Sequence, residues 1–161
     1  MCGIVGVASE SQVTEKLING LLRQEYRGYD SAGICTIENN KLITTKCKGK
    51  IADLKLGLNK AIHRGKIGIG HTRWATHGIP NEVNAHPHAT NKVAVVHNGI
   101  IENAGRIRKH LQSEGVKFAS ETDSEVLVHL IHRYLEGGSA PLTAVRRALR
   151  RVRGTWGLCV L

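Results

Sequence analysis

The sequence contains few aromatic residues, few cysteines and no long hydrophobic run. Aromatic side chains make up 4% of the 161 residues, which is too few for the stacking platform that binds single-stranded nucleic acid. The four cysteines form no C-x-x-C pair, so we expect neither a disulfide framework nor a zinc site. No apolar run is long enough to span a membrane, and residues 1–20 lack the pattern of a secretory signal. These absences predict a cytoplasmic protein with reduced thiols, bound neither to a membrane nor to nucleic acid.

Acidic residues are also scarce, since 13 aspartates and glutamates stand against 23 lysines and arginines, which leaves a net charge of +10. Much of the excess lies in the last sixteen residues, which hold Arg146, Arg147, Arg150, Arg151 and Arg153. This density predicts a solvated basic helix face, or a surface that meets another part of a larger protein. The composition is otherwise ordinary, with 41% hydrophobic and 22% charged residues, so one domain with a real core is expected.

Short segments with strand and helix periods follow one another along the chain. We expect strands at residues 3–8, 33–38, 41–48, 66–72, 93–96, 116–118 and 157–161, and helices that open near Ser9 or Ser11, at 51–62, before Gly115, at a capping box in 122–125 and at Pro141. Residues 73–89 show no period, and a loop of that length inside a compact domain is usually functional. Strands paired into hairpins, together with helices, predict an α+β fold built in layers.

Cys2 stands directly behind the initiator methionine, an unusual place for a reactive side chain. If Met1 is removed, this residue carries both a thiol and a free α-amine. The pKa of an α-amine is about 7.7–8.0, so a usable fraction is unprotonated at neutral pH. One residue would then supply a nucleophile and a general base. On position alone, the simpler interpretation is a small buried thiol at the start of an apolar strand.

The segment HTRWATHG (residues 71–78) opens the long loop and offers several groups to a substrate. Arg73 could hold a carboxylate through two parallel hydrogen bonds. Trp74 could form a wall or a lid, while Thr76 and His77 add directed polar groups. A structural polar turn would explain the same residues equally well.

Two further segments have both a functional and a structural interpretation. Asn98 and Gly99 directly follow a buried apolar run, and a side-chain amide beside a glycine N–H suits the binding of an oxyanion. Asn-Gly is also a common turn dipeptide. Asp123 could pair with a substrate ammonium group, although a carboxylate at the start of a helix usually serves as a cap.

The histidines do not predict a metal site, although the chain has nine of them. A proline separates His86 from His88, no carboxylate lies near them in the sequence, and the ligand spacing is irregular. Neither familiar glycine-rich phosphate-binding loop is present. We therefore expect no metal and no cofactor.

The candidate groups named above are a thiol with its own amine, a pair of oxyanion donors, a partner for a carboxylate and a partner for an ammonium group. A substrate that has an α-carboxylate, an α-ammonium and a distant cleavable acyl group is glutamine. Six motifs then occur in the order that is typical of one family: CGIVG (2–6), EYRGYDSAG (25–33), HTRWATHG (71–78), NAHPH (84–88), VHNGIIEN (96–103) and SETD (120–123). The whole chain resembles the N-terminal glutaminase domain of the glutamine–fructose-6-phosphate aminotransferase family. The resemblance implies a class II glutamine amidotransferase with the four-layer αββα sandwich of N-terminal-nucleophile hydrolases.

The resemblance also implies the catalytic roles. Cys2 would attack the side-chain amide of glutamine and form a γ-glutamyl thioester, with its own α-amine moving the protons. Asn98 and Gly99 would stabilise the tetrahedral oxyanion. The ammonia released would pass to fructose 6-phosphate on a separate sugar-isomerase region, for the synthesis of glucosamine 6-phosphate.

Substrate binding is implied in the same way. Arg73 would hold the α-carboxylate of glutamine and Asp123 its α-ammonium. Thr76 and His77 would line the pocket, and Trp74 would gate the passage of ammonia. The related amidophosphoribosyltransferases have tyrosine rather than tryptophan at this position, so Trp74 favours the sugar enzyme.

The resemblance implies that residues 1–161 are only part of a glutaminase domain and lack the sugar-isomerase region. Synthesis of the amino sugar by this chain alone is therefore not expected. Four alternatives stay open at this point: a non-catalytic fragment or partner-binding module, an amidophosphoribosyltransferase-type glutaminase, an N-terminal-nucleophile hydrolase acting on another amide, and, least supported, a nucleic-acid-binding protein. The sequence does not define the oligomeric state.

Overall fold

The computed structural model describes residues 2–59, 61–75 and 78–161. The strands are β1 (Gly3–Ala8), β2 (Ser31–Glu38), β3 (Lys41–Lys48), β4 (Ile67–Arg73), β5 (His88–Ala89), β6 (Ala94–Ile101) and β7 (Gly154–Val160). The α-helices are α1 (Thr14–Leu22), α2 (Ile51–Leu58), α3 (Ala104–Ser113), α4 (Glu125–Glu136) and α5 (Pro141–Leu149). Within the described ranges, no helix is both long enough and apolar enough to cross a membrane.

The strands form two antiparallel sheets, one with the order β1-β4-β2-β3 and the other with the order β5-β6-β7. The predicted hairpin is β2–β3, and it turns at Asn39 and Asn40 with φ angles of 49° and 59°, which asparagine tolerates well. β1 lies beside β4 with Gly3 opposite Thr72. This register places the N-terminus next to the carboxyl end of β4.

The two sheets face each other, and each carries helices on its outer face. Three apolar clusters join the layers. One lies between α1, α2 and the first sheet and includes Leu17, Ile34 and Leu54, and another lies between α3 to α5 and the second sheet and includes Val95, Leu127 and Ala144. The third lies between the two sheets and includes Ile69 and Val96. Burying these side chains on both faces of each sheet stabilises the whole stack. The order helix, sheet, sheet, helix confirms the predicted αββα sandwich.

The alternating glycines of β4 allow α1 to pack closely on the first sheet. A Cβ at Gly68 would lie 2.8 Å from Leu17 Cδ1, and one at Gly70 would lie 3.1 Å from Leu21 Cδ1. These distances are tight, and a Cβ at Gly68 would also lie 2.8 Å from the backbone Cys35 O, so a side chain there would force Leu17 and the neighbouring strand to shift. The close packing predicted from these glycines is confirmed.

The start of α1 differs from the prediction, since the helix begins at Thr14 rather than near Ser9 or Ser11. Residues 9–13 are held by another part of the chain: the Ser9 N–H donates to Lys66 O at 2.9 Å and the Val13 N–H to Gly65 O at 3.0 Å. These bonds continue the β1–β4 hydrogen-bond ladder beyond the end of β1, so the helix begins later in the sequence. Such contacts between distant segments are not visible in a local pattern.

The predicted strand at residues 116–118 and the predicted capping box at residues 122–125 are both wrong. Residues 116–118 have no regular structure, and α4 begins at Glu125 after Ser124, whose side chain caps nothing. Glu125 instead accepts hydrogen bonds from the backbone N–H groups of Ala119 and Ser120 at 2.8 and 2.7 Å. The carboxylate therefore organises the loop before the helix rather than the first turn.

Candidate active site

The candidate active site lies at one end of the space between the two sheets, where apolar residues give way to polar ones. Along β4, Ile69 lies in the inter-sheet cluster, and His71 and Arg73 continue the same face because strand side chains alternate. Along β6, Val96 lies in that cluster and Asn98 continues its face. Period-two alternation therefore points polar side chains from both sheets into one space.

Cys2 joins this space through the pairing of β1 with β4. The Trp74 N–H donates to the Cys2 thiol sulfur at 3.1 Å, and the thiol lies 3.6 Å from Trp74 O. The Asn98 side-chain N–H donates to Cys2 O at 3.2 Å. A cavity of about 280 Å³ opens here, near the lower limit of about 300 Å³ for small-molecule sites. Its lining includes Cys2, Arg73, Trp74, Asn98, Gly99 and Asp123.

Asn98 and Gly99 lie within β6, so the interpretation of this dipeptide as a turn is wrong. Residues on both sides of it pair with β7, and Gly99 lies opposite Trp156. Gly99 has a φ of 133°, a conformation that L side chains rarely adopt. A Cβ at this position would also lie 2.1 Å from Thr155 O. Glycine is required here because the neighbouring strand occupies the space of a side chain.

Arg73 and Asp123 approach the cavity from two different layers. Arg73 ends β4 and is 4% exposed, so its positive charge is held away from solvent. Asp123 precedes α4, and its Oδ2 accepts a hydrogen bond from the Ile101 N–H at 2.8 Å. The carboxylate is therefore bonded to the end of β6, in place of the expected helix cap.

The loop after β4 carries the remaining predicted residues. Trp74 is 55% exposed at the rim of the cavity. Thr76 and His77 lie outside the described residues, as does Met1. Sequence reasoning missed Asp30, whose Oδ2 accepts a hydrogen bond from the Ala75 N–H at 2.5 Å. The signal was the position of Asp30 in the polar, glycine-punctuated segment before β2, which the structure places beside the loop.

Three buried histidines, of which His71 and His86 line the cavity and His88 packs against His86, were not predicted to have a role. The ring centroids of His71 and His86 are 4.3 Å apart, and those of His86 and His88 are 4.6 Å apart. Burial lowers the pKa of His71 to about 4 and that of His88 to about 3, and it lowers the pKa of His86 well below the usual value. The rings are therefore neutral at physiological pH. In the described ranges no three histidine, cysteine or acidic side chains are grouped to hold a metal ion.

These histidines predict a loss of stability in mild acid. Their pKa values are lower in the folded chain than the usual 6.5, so the unfolded chain binds more protons between pH 6.5 and about 4. Their contribution should be complete above pH 6.5 and decline below it, by up to about 1.4 kcal/mol per pH unit for each histidine. Urea unfolding at pH 7, 6 and 5 would measure this decline.

The variant His86→Phe provides the control, because it keeps a buried ring but cannot titrate. Burial lowers the pKa of His86 most, and the charge of Arg73, together with any charge that His71, His88 or His97 gains on protonation, lowers it further. We expect a shallower decline for the variant between pH 6.5 and 5. An identical slope in both proteins would contradict the assignment.

Glu125 affects stability in a different pH range. Burial opposes its ionisation, but hydrogen bonds from His129 and Ser120 lower its pKa to about 2. Its contribution to the free energy of unfolding is therefore lost only below pH 4.5.

Comparison with known proteins shows the family to which the chain belongs. Residues 71–161 match the family model described as a glutamine amidotransferase domain. The chain is 50% identical over its full length to the glutamine–fructose-6-phosphate aminotransferase of Mesorhizobium japonicum and 51% identical to that of Bradyrhizobium diazoefficiens. It spans about a quarter of the length of these relatives, 26% in each case.

A solved structure gives the same result for the fold. The glutamine phosphoribosylpyrophosphate amidotransferase of B. subtilis matches the whole chain and 35% of its own chain, with a TM-score of 0.83 and 27% identity. The sandwich with a thiol at the end of its inter-sheet space therefore defines a glutamine amidotransferase of the N-terminal-nucleophile type. The chain belongs to the glutamine amidotransferase domain family. Over its whole length it is similar to the N-terminal region of the glutamine–fructose-6-phosphate aminotransferases.

Proposed function

We propose that this chain is the glutamine-cleaving part of a glutamine–fructose-6-phosphate aminotransferase and that it hydrolyses glutamine to glutamate and ammonia. The observation that carries the proposal is the meeting of the Cys2 thiol, the Asn98 amide and Gly99 at one small cavity that Arg73 and Asp123 also line. The identity of 50% to the aminotransferases, against 27% to the phosphoribosylpyrophosphate enzyme, favours the sugar enzyme over the purine enzyme.

The reaction begins at Cys2 once Met1 has been removed. The free α-amine takes the thiol proton, and the sulfur attacks the side-chain carbonyl carbon of glutamine. The Trp74 N–H already points at the sulfur, at 3.1 Å, and an N–H donor favours the negative charge of a thiolate. A carbon–sulfur bond forms, and the carbonyl oxygen becomes an oxyanion.

Asn98 and Gly99 supply the environment for that oxyanion. The Asn98 side-chain N–H group faces Cys2, and the strand holds both residues rigidly. Donors that are positioned in advance stabilise the charge of the transition state without a cost of reorganisation. When the tetrahedral adduct collapses, the carbon–nitrogen bond breaks and ammonia leaves with the proton that the α-amine held. Water then cleaves the γ-glutamyl thioester and regenerates the thiol.

The two charged residues hold the other end of glutamine. Arg73 pairs with the α-carboxylate, for which a buried guanidinium is a strong and directional partner. Asp123 pairs with the α-ammonium through Oδ1, since its Oδ2 accepts the hydrogen bond from the Ile101 N–H. The role proposed for Thr76 and His77, which lie outside the described residues, is contact with glutamine, and Trp74 at the rim of the cavity controls the exit of ammonia. This pairing of charges selects an α-amino acid over a simple amide.

The acceptor for ammonia is fructose 6-phosphate, bound by a region outside this sequence. The match covers only 26% of the aminotransferase relatives, so the remainder of such a protein supplies the sugar site. Residues 1–161 belong to the glutaminase domain, which works without metal or cofactor. The cytoplasm, a reducing compartment, suits a mechanism that depends on a free thiol.

A diazoketone analogue of glutamine tests the proposal directly. We expect intact-mass spectrometry to show loss of Met1 and one adduct per chain, and peptide mapping to place the adduct at Cys2. The D-enantiomer serves as the control and should label far more slowly, because it cannot satisfy Arg73 and Asp123 together. Retention of Met1, or equal labelling by the two enantiomers, would contradict the proposed site.

A further inference from the structure

Asn98 needs a fixed orientation, because its side-chain amide has a donor end and an acceptor end. Only the NH₂ group can stabilise an oxyanion, whereas the oxygen would repel it. A rotation of the amide by about 180° exchanges the two ends with almost no change of shape. The proposed function therefore depends on whatever holds the Asn98 oxygen away from Cys2.

His71 contacts the Asn98 oxygen directly. The His71 Nε2 lies 2.8 Å from Asn98 Oδ1, a good distance for a hydrogen bond. His71 is fully buried in β4, and Asn98 faces it from β6 in the opposite sheet. No water is needed to connect the two residues.

The carbonyl of Cys2 determines which end of the amide faces which neighbour. Cys2 O can only accept a hydrogen bond, and the Asn98 side-chain nitrogen donates to it at 3.2 Å. A flipped amide would place two acceptor oxygens against each other, which is unfavourable. The Asn98 oxygen must then face His71, so the Nε2 of His71 carries the hydrogen and donates it.

The surroundings of His71 keep this arrangement rigid. Its ring packs against the ring of His86, with centroids 4.3 Å apart, and burial of both rings leaves little room for rotation. Ring packing and the hydrogen bond to Asn98 together restrict His71 to one orientation.

We propose that His71 is a positioning residue, which holds the Asn98 amide oxygen through its Nε2–H so that the amide NH₂ faces the Cys2 reaction centre. The inference rests on the proposed glutaminase function and extends it to a residue that acts through Asn98. Loss of the His71 donor leaves the amide held only by its weaker contact with Cys2 O at 3.2 Å, so part of the population rotates and presents oxygen to the oxyanion.

Two substitutions in the full chain separate hydrogen bonding from packing. His71→Phe keeps a buried ring against His86 but has no donor, whereas His71→Gln loses the ring and keeps an N–H near the position of Nε2. We expect His71→Phe to lower kcat for glutamate release by about 10- to 100-fold, within the loss seen when an oxyanion donor is removed outright. KM should change little, and His71→Gln should retain the higher kcat of the two variants.

His63→Phe is the matched control, since His63 is also a buried, hydrogen-bonded histidine. Its ring bonds to Thr36 and Thr45 at 2.9 and 2.8 Å, towards the end of β2 away from Arg73. This variant should lose stability but retain kcat per folded molecule. The background of Asn98→Ala gives a second control, because His71→Phe should lower kcat no further when there is no amide to orient.

The inference is overturned if His71→Phe is at least as active as His71→Gln, if His63→Phe lowers kcat equally, or if the effects of His71→Phe and Asn98→Ala are additive. If His71→Phe fails to fold, His71→Gln alone decides: a kcat as low as that of Asn98→Ala also overturns it. Failure of the proposed function has a different signature, since Cys2→Ala would then release glutamate as fast as the unaltered chain.

Discussion

Replacement of Cys2 by alanine should abolish the release of glutamate from glutamine, with a loss of about 10⁴- to 10⁶-fold in kcat, because removal of a nucleophile disables the whole catalytic unit. The thiol lies in the cavity, half-buried, with the Trp74 N–H directed at its sulfur. No other described sulfur lines that cavity. A coupled assay for glutamate at saturating glutamine would measure the loss.

Cys47→Ala is the matched control for this experiment. Cys47 is also a free, half-buried thiol, but it lies on β3 and contacts Lys50 O at 3.6 Å. Its removal should leave glutamate release within about twofold of the unaltered chain, as for most substitutions remote from a site. Equal rates for Cys2→Ala and the unaltered protein would show that the chain is not a thiol-dependent glutaminase and would favour the non-catalytic alternative.

Replacement of Asn98 by alanine should lower kcat by about 10²- to 10³-fold and leave KM nearly unchanged. The amide contributes a donor to the oxyanion that forms only on the way to the thioester, so its loss weakens binding of the transition state rather than of glutamine. Steady-state kinetics at several glutamine concentrations would separate the two parameters.

Asn103→Ala controls for the general effect of losing a hydrogen-bonded asparagine. The Asn103 side chain bonds to Arg151 O at 2.9 Å and to the Arg153 N–H at 2.8 Å, just before β7. This variant should lower the stability of the β6–β7 connection without a comparable effect on kcat. A large increase in KM for Asn98→Ala, with kcat unchanged, would assign Asn98 to substrate binding instead.

Local sequence patterns correctly predicted the turn and the helix features that are set by residues close together in the sequence. The Asn39-Asn40 turn formed because asparagine tolerates positive φ, and α5 begins at Pro141 because a proline suits the first turn of a helix. The amphipathic stripes of α1 and α4 face the sheets, as their periods require. These features are determined by neighbours a few positions apart.

The errors share a physical cause, which is competition from partners far away in the sequence. Asn98-Gly99 has the composition of a turn, yet pairing with β7 keeps it in a strand. Asp123 has the position of a helix cap, yet its carboxylate bonds to the Ile101 N–H. In both cases a partner at least twenty residues distant, counted along the sequence, provides a hydrogen bond that outweighs the local preference.

The sequence by itself determined the family, the α+β class and the residue types that glutamine chemistry requires. Only the tertiary structure decided how they meet, because the register of β1 against β4 and the packing of one sheet on the other place Cys2, His71 and Asn98 in contact. The link from His71 to Asn98 joins residues 27 positions apart and follows no sequence period. It exists because two strands of different sheets direct alternate side chains into the same buried space, where a hydrogen bond between polar groups offsets the loss of water.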